Sequence, residues 1–181
     1  MPVATKVLAC TCGQMELGIE GRPIVSVECL CGDCQRAGAI LQALPGAPSV
    51  LDENGATRFV LYRKDKVQCT KGQDRLREHR LSGDSATRRV VATCCNTPVF
   101  LDFGKGHWLS LYGGLWPFAS LPPLELRTMT RSRPEGVVLP GDVPNAGTHS
   151  ISFFAKLLLA WAAMGFRTPA VDFVDGVLET R

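Results

Sequence analysis

No stretch of this sequence is both long and apolar enough to cross a bilayer. The longest apolar segment, Ile151 to Phe166, would span roughly 24 Å as a helix against a hydrocarbon core of ~30 Å, so a membrane anchor is not expected. The opening residues, MPVATKVLA, have no apolar core and carry Lys6 where one would stand, so no export signal is expected either. Internal repeats and low-complexity tracts are missing, and the composition is that of neither a fibre nor a disordered tail. Charge is scarce, with 20% charged residues and a formal net charge of +3. Lys71, Arg75, Arg77, Arg80, Arg88 and Arg89 form a basic stretch, but no aromatic residue stands among them and Asp74, Glu78 and Asp84 interrupt it. Nucleic-acid binding would want aromatics for base stacking, so the stretch reads as a solvated hairpin face and no nucleic-acid partner is expected.

What is present is a chain of 181 residues with 45% apolar content, enough for one domain with a sizeable core or one domain with an appendage. Its 18 glycines and 12 prolines favour many turns and short strands. Gln14 to Glu20 alternates, with Met15, Leu17 and Ile19 on one side, and reads as a half-buried strand. Ile24 to Cys29 would pair with it as a hairpin. Further strands are expected at Ala39–Leu44, Thr57–Tyr62, Lys66–Thr70, Arg88–Thr93, Val99–Phe103, His107–Tyr112 and Leu124–Met129. From Leu121 to Asn145 the chain is rich in proline and reads as a wrapping loop, which divides it into a main β domain at 1–135 and an appendage at 136–181. The appendage holds a helix over 151–166, with Ser150 as N-cap, Gly165 near the end and Pro169 beyond. Being apolar almost all round, it is expected to be buried in the core or in a homodimer interface.

The eight cysteines carry most of the functional information: Cys10, Cys12, Cys29, Cys31, Cys34, Cys69, Cys94 and Cys95. Without an export signal the expected compartment is the reducing cytoplasm, where clustered thiols bind metal more often than they form bridges. Cys29, Cys31 and Cys34 lie within six residues, so one tight turn can aim three thiols at one ion. Three thiolates with no local fourth ligand leave a coordination position for water or substrate, as a catalytic zinc needs. Cys10 and Cys12 make half of a second site. Cys94 and Cys95 could both supply the remainder only if the chain turns there, since vicinal side chains on a strand point to opposite faces; otherwise Cys95 binds and the fourth ligand comes from elsewhere, with Cys69 as the candidate. Seven thiolates holding two zinc ions would also bring the formal charge to zero.

These residues resemble the glutathione-dependent formaldehyde-activating enzymes, whose domain is shared with centromere protein V. That family's pattern is C-x-C-G, then C-H-C-x-x-C followed by a basic residue and Gly-Ala, then C-x-x-C-G-(S/T)-P. This chain reads Cys10-Thr11-Cys12-Gly13, then Cys29-Leu30-Cys31-Gly32-Asp33-Cys34-Gln35-Arg36-Ala37-Gly38-Ala39, then Cys95-Asn96-Thr97-Pro98, over roughly residues 8 to 130. The resemblance implies a β-tent of short antiparallel strands pinned by zinc, mainly β, followed here by one C-terminal α-helix. It also implies a structural zinc on Cys10, Cys12 and Cys95, a catalytic zinc on Cys29, Cys31 and Cys34, and carbon-sulfur lyase activity on adducts of glutathione-type thiols with an aldehyde. Three departures stand out: Leu30 replaces the usual His, Asn96 the usual Gly, and Ala92 the first cysteine of the last pair, leaving Cys94 to substitute.

Other side chains have roles by type. Arg36, beside the cluster, could hold a substrate carboxylate. Asp33 and Gln35 could orient water or merely cap the turn, and His107 could shuttle protons. The leading expectation is therefore a zinc-dependent carbon-sulfur lyase. Its rival is a non-catalytic, zinc-stabilised binding module whose terminal helix contacts a protein or a membrane.

Overall fold

The computed structural model describes residues 5–179. Ten strands and two α-helices follow one another as β1 (Thr5–Ala9), β2 (Glu16–Glu20), β3 (Val25–Cys29), α1 (Gly32–Gln42), β4 (Thr57–Arg63), β5 (Val67–Lys71), β6 (Leu76–His79), β7 (Thr87–Ala92), β8 (Thr97–Phe103), β9 (Trp108–Tyr112), β10 (Leu126–Thr128) and α2 (Ile151–Ala163). The protein is mainly β. A small sheet has the order β1-β2-β5 and a large one the order β10-β3-β4-β9-β8-β7-β6. Neighbours are antiparallel except β10, which runs parallel to β3.

Strand alternation builds three layers. On β4, Val60 and Tyr62 face the small sheet while Phe59 and Leu61 face the helices. Leu8, Met15, Leu17 and Ile19 from the small sheet pack with Val60, Phe100, Leu109 and Leu111 of the large one. On the opposite face Val25, Val27, Phe59, Leu61 and Leu101 pack against Leu41 of α1 and Phe153 and Leu157 of α2. The large sheet is thus covered on both sides, which is why its strands are apolar on both faces.

Three expectations are corrected. Ala39–Leu44 is not a strand, because α1 runs through it to Gln42. Cys34, Ala37, Gly38 and Leu41 are buried at the i, i+3, i+4, i+7 spacing of a helix face, and the Cys31 sulfur caps the start by accepting from the Cys34 amide. β2 and β3 do not form a hairpin; β2 pairs with β1 and β5, and β3 with β4 and β10. Finally, α2 ends at Ala163 and is not a core helix of the single chain: Phe153 and Leu157 are buried, whereas Ile151 and Leu159 are 90% and 71% exposed.

The segment after β10 is fastened to the sheet through polar anchors. Arg127 meets Glu28 at 2.6 Å and Asp142 at 2.7 Å, and its amide donates to the Pro144 carbonyl. Glu125 accepts from the Ser26 amide and pairs with Lys156 of α2. The Ser150 hydroxyl caps α2 by accepting from the Phe153 amide at 3.2 Å. No helix among the described residues is long and apolar enough to cross a membrane.

Candidate metal centres

Two groups of thiols converge, one on each side of the large sheet. The first brings together Cys10 and Cys12 from the β1–β2 turn and Cys94 and Cys95 from the β7–β8 turn. Sulfur separations are 3.6 Å for Cys10–Cys12, 3.7 Å for Cys10–Cys94 and 4.0 Å for Cys94–Cys95. Four sulfurs bound at ~2.3 Å to one tetrahedral ion sit about 3.8 Å apart, so these residues fit a metal ion. Both vicinal cysteines can face it because the chain turns at Thr93–Asn96, where Asn96 takes φ 54°, a left-handed conformation that suits Gly or Asn. The Met15 amide donates to Cys10 Sγ at 3.4 Å, and Thr97 Oγ1 lies 3.0 Å from Cys95 Sγ. Cys69 stands apart, with its thiol on the Lys71 carbonyl.

The proton distribution agrees with a cation-demanding cluster. Burial raises the Cys94 thiol and the Cys10 thiol. Burial also raises Cys95, but hydrogen bonding from Thr97 and Cys12 outweighs it and brings that thiol to about 6. A bound cation would offset the burial that holds the Cys10 and Cys94 thiols protonated.

The second group is Cys29, Cys31 and Cys34, with sulfurs within 4.8 Å of one another and no fourth ligating side chain in the group. β3 delivers Cys29 at its last residue, Cys31 is the N-cap of α1, and Cys34 lies in its first turn. The tight turn expected from the spacing is thus a strand-to-helix junction. Hydrogen bonding from Cys29 and then Cys34 lowers Cys31 to about 2, while the bond to Cys31 pushes Cys29 up to about 12. Cys34 is raised by Cys29, Cys31 and burial.

Behind this cluster stands Arg89, 3% exposed, whose Nη2 donates to the Asp33 carbonyl at 3.4 Å and whose Nε has no hydrogen-bond partner. Burial raises the Tyr112 phenol, which has Arg89 and Cys34 as its charged neighbours. Arg89 is thus a buried guanidinium joined to the backbone of the cysteine junction through Asp33, with one N–H left unpaired. In the sequence Arg89 reads as part of a solvated hairpin face; here it points inward, while Arg80 and Arg88 pair with Glu78.

In front of the cluster lies a cavity of about 710 Å³, within the range of small-molecule sites. Cys29, Cys31 and Cys34 line it together with Phe59, Trp108 and, from α2, Phe153, Phe154 and Leu157. His149 also lines it, with Nδ1 on Thr128 Oγ1 at 3.1 Å and its ring stacked on Phe153. Burial lowers its pKa, favouring the neutral imidazole. Nothing in the cysteine pattern pointed to His149; the signal was its place just ahead of the helix cap.

The remaining sequence-derived residues fall elsewhere. Arg36 lies on the exposed face of α1, outside the cavity lining. Gln35 caps the junction by donating to the Leu30 and Ser132 carbonyls, both at 2.6 Å. Asp33 lines the cavity, and Leu30 is fully buried. His107 bonds the Leu157 carbonyl at 2.8 Å and stacks on Trp161, so it anchors α2 and is not part of the cavity lining.

Residues 3–113 match the model of DUF6151, a family of unknown function, and the chain belongs to that family. Nothing among curated proteins matches it. A crystal structure of a Rhodobacter sphaeroides protein, a structural genomics target, is similar over 77% of this chain and 99% of its own, at 14% identity and a TM-score of 0.46. The matched family segment contains all eight cysteines and ends before His149 and α2.

Proposed function

We propose that the protein is a zinc-dependent carbon-sulfur lyase acting on the adduct of a small thiol with an aldehyde. The observation that carries the reading is the asymmetry between the thiol groups: four sulfurs close the first, whereas three stand at the wall of a cavity in the second. All-sulfur donors suit zinc. Cys10, Cys12, Cys94 and Cys95 would hold a structural ion. Cys29, Cys31 and Cys34 would hold one that offers an open position and lowers the pKa of a bound thiol. The spacing resemblance to the formaldehyde-activating enzymes supports the same assignment.

The reaction is the collapse of a hemithioacetal to a thiol and an aldehyde. The carbon-sulfur bond breaks with its electrons leaving on sulfur, the hydroxyl oxygen becomes the carbonyl, and its proton is transferred to the departing sulfur. His149, neutral and fixed through Nδ1, is the cavity side chain able to carry that proton on Nε2. Phe153, Phe154 and Trp108 would give the reacting carbon apolar surroundings.

The test is aldehyde release from thiol-formaldehyde adducts by the metal-loaded protein. Cys34→Ser should abolish the acceleration and His149→Ala should reduce it about 100-fold or more. Unchanged release in both would overturn the reading. One feature favours the rival binding module: Ile151, Phe154, Leu158 and Leu159 of α2 are each more than half exposed, as a docking helix would be. Turnover in the isolated protein separates the two.

A further inference from the structure

The chemistry of the cavity wall narrows the thiol. Glutathione brings two carboxylates and an ammonium, which must be hydrated or matched by fixed charges on binding. The wall around Cys29, Cys31 and Cys34 matches them poorly. Its apolar part includes Phe59, Leu61, Phe103, Trp108, Phe153 and Phe154. Its polar part comprises Asp33, Lys105, Ser110, Thr128 and His149. Lys105, exposed on the Gly104–Gly106 turn at the rim, is the single ammonium or guanidinium of the lining among the described residues. Arg36, the cation nearest in sequence to the cluster, lies outside it.

We infer that the ligand of this site is a thiol with an uncharged aromatic or branched-alkyl body, and that α2 is the element selecting it. The inference rests on the lyase reading for the sulfur end and adds the identity of the rest of the molecule. With the sulfur at the three cysteines, the body attached to it extends between the sheet face, at Phe59 and Leu61, and the helix, at Phe153, Phe154 and Leu157. The roof belongs to the segment beyond residue 113, whereas the thiols belong to the matched family segment. The sheet side of the cavity, with Phe59 and Leu61, shares the matched segment with the thiols, and the helix side lies outside it.

The experiment is calorimetric titration of the purified, metal-loaded protein with benzyl mercaptan, glutathione, benzyl alcohol and a series of alkanethiols from ethanethiol to hexanethiol. Benzyl mercaptan should bind at least tenfold more tightly than glutathione, and the series should gain up to about fourfold per methylene. Phe154→Ala should weaken benzyl mercaptan about fivefold or more with an unchanged melting temperature, because that ring is half exposed. Glutathione binding as tightly as benzyl mercaptan, or a flat series, would overturn the inference and leave the lyase reading standing. Benzyl alcohol matching benzyl mercaptan would uphold the apolar body and overturn the sulfur-binding reading. Absence of binding by either benzyl compound would overturn the inference.

Discussion

Cys10 and Cys94 are 84 positions apart in the chain, yet their sulfurs lie 3.7 Å from each other. Their meeting fastens the turn of the small sheet to a turn of the large one. Beside them the Thr11 and Thr97 hydroxyls share a hydrogen bond at 2.9 Å. Metal held here would couple the two sheets, and that coupling gives the first prediction. Cys94→Ser should cost about 3 kcal/mol or more, a fall of roughly 6–12 °C in Tm for a chain of this size. Cys69→Ser should change Tm little, since Cys69 belongs to neither group. Equal effects in thermal melts would remove Cys94 from the ligand set.

Arg89 should matter to the three-thiol centre without touching the other. Replacing it with Met keeps the length and removes the charge. Metal affinity at Cys29, Cys31 and Cys34 is expected to fall about 10- to 100-fold, the scale of outer-shell effects. A chelator competition showing one weakened and one unchanged site bears this out; two unchanged sites contradict it.

Stability should decline on mild acidification. Burial lowers the pKa of His79, with Arg89 adding to it, and burial lowers His107. Both are therefore harder to protonate folded than unfolded. Their contribution is complete above the ordinary value of 6.5 and is lost as pH falls from there through the depressed folded values. His107→Gln should flatten part of that decline in Tm measured from pH 7.5 to 5. An identical slope in the variant would show that His107 titrates equally in both states.

α2 presents one buried stripe, so substitutions along it should sort by face. Leu157→Ala should cost about 2–5 kcal/mol, because Leu157 is 4% exposed and packs on the sheet. Leu159→Ser, on the open side, should stay within about 0.5 kcal/mol in denaturant unfolding. A large loss at Leu159 would mean that this face is covered in solution.

The sequence reveals the thiol groups because their members are close neighbours: three within one junction and two pairs in turns. It reveals β2 by its alternation and most other strands as short apolar runs between turn-forming residues. It hides α1, whose buried face includes Cys34, Ala37 and Gly38, small residues that give a weak apolar signal. β1 and β6 give little local signal, because β1 buries one residue of its five and β6 is only four residues long. The separation of β2 from β3 is a long-range choice, made by the better partners β5 and β4, and no local signal encodes it. Arg89 and His149 escape for the same reason: their meaning comes from what the fold sets beside them. Apolar character on every side of α2 foretold burial, but the fold covers only the stripe that reaches the cavity and the sheet.

Metal content of the purified chain tests the central claim most directly. Protein prepared under reducing conditions, with neither added zinc nor chelator, should show two zinc ions per chain by elemental mass spectrometry. Cys34→Ser should bring the number to one while the fold survives. Zinc-free protein, or a count that does not fall in the variant, would contradict the account.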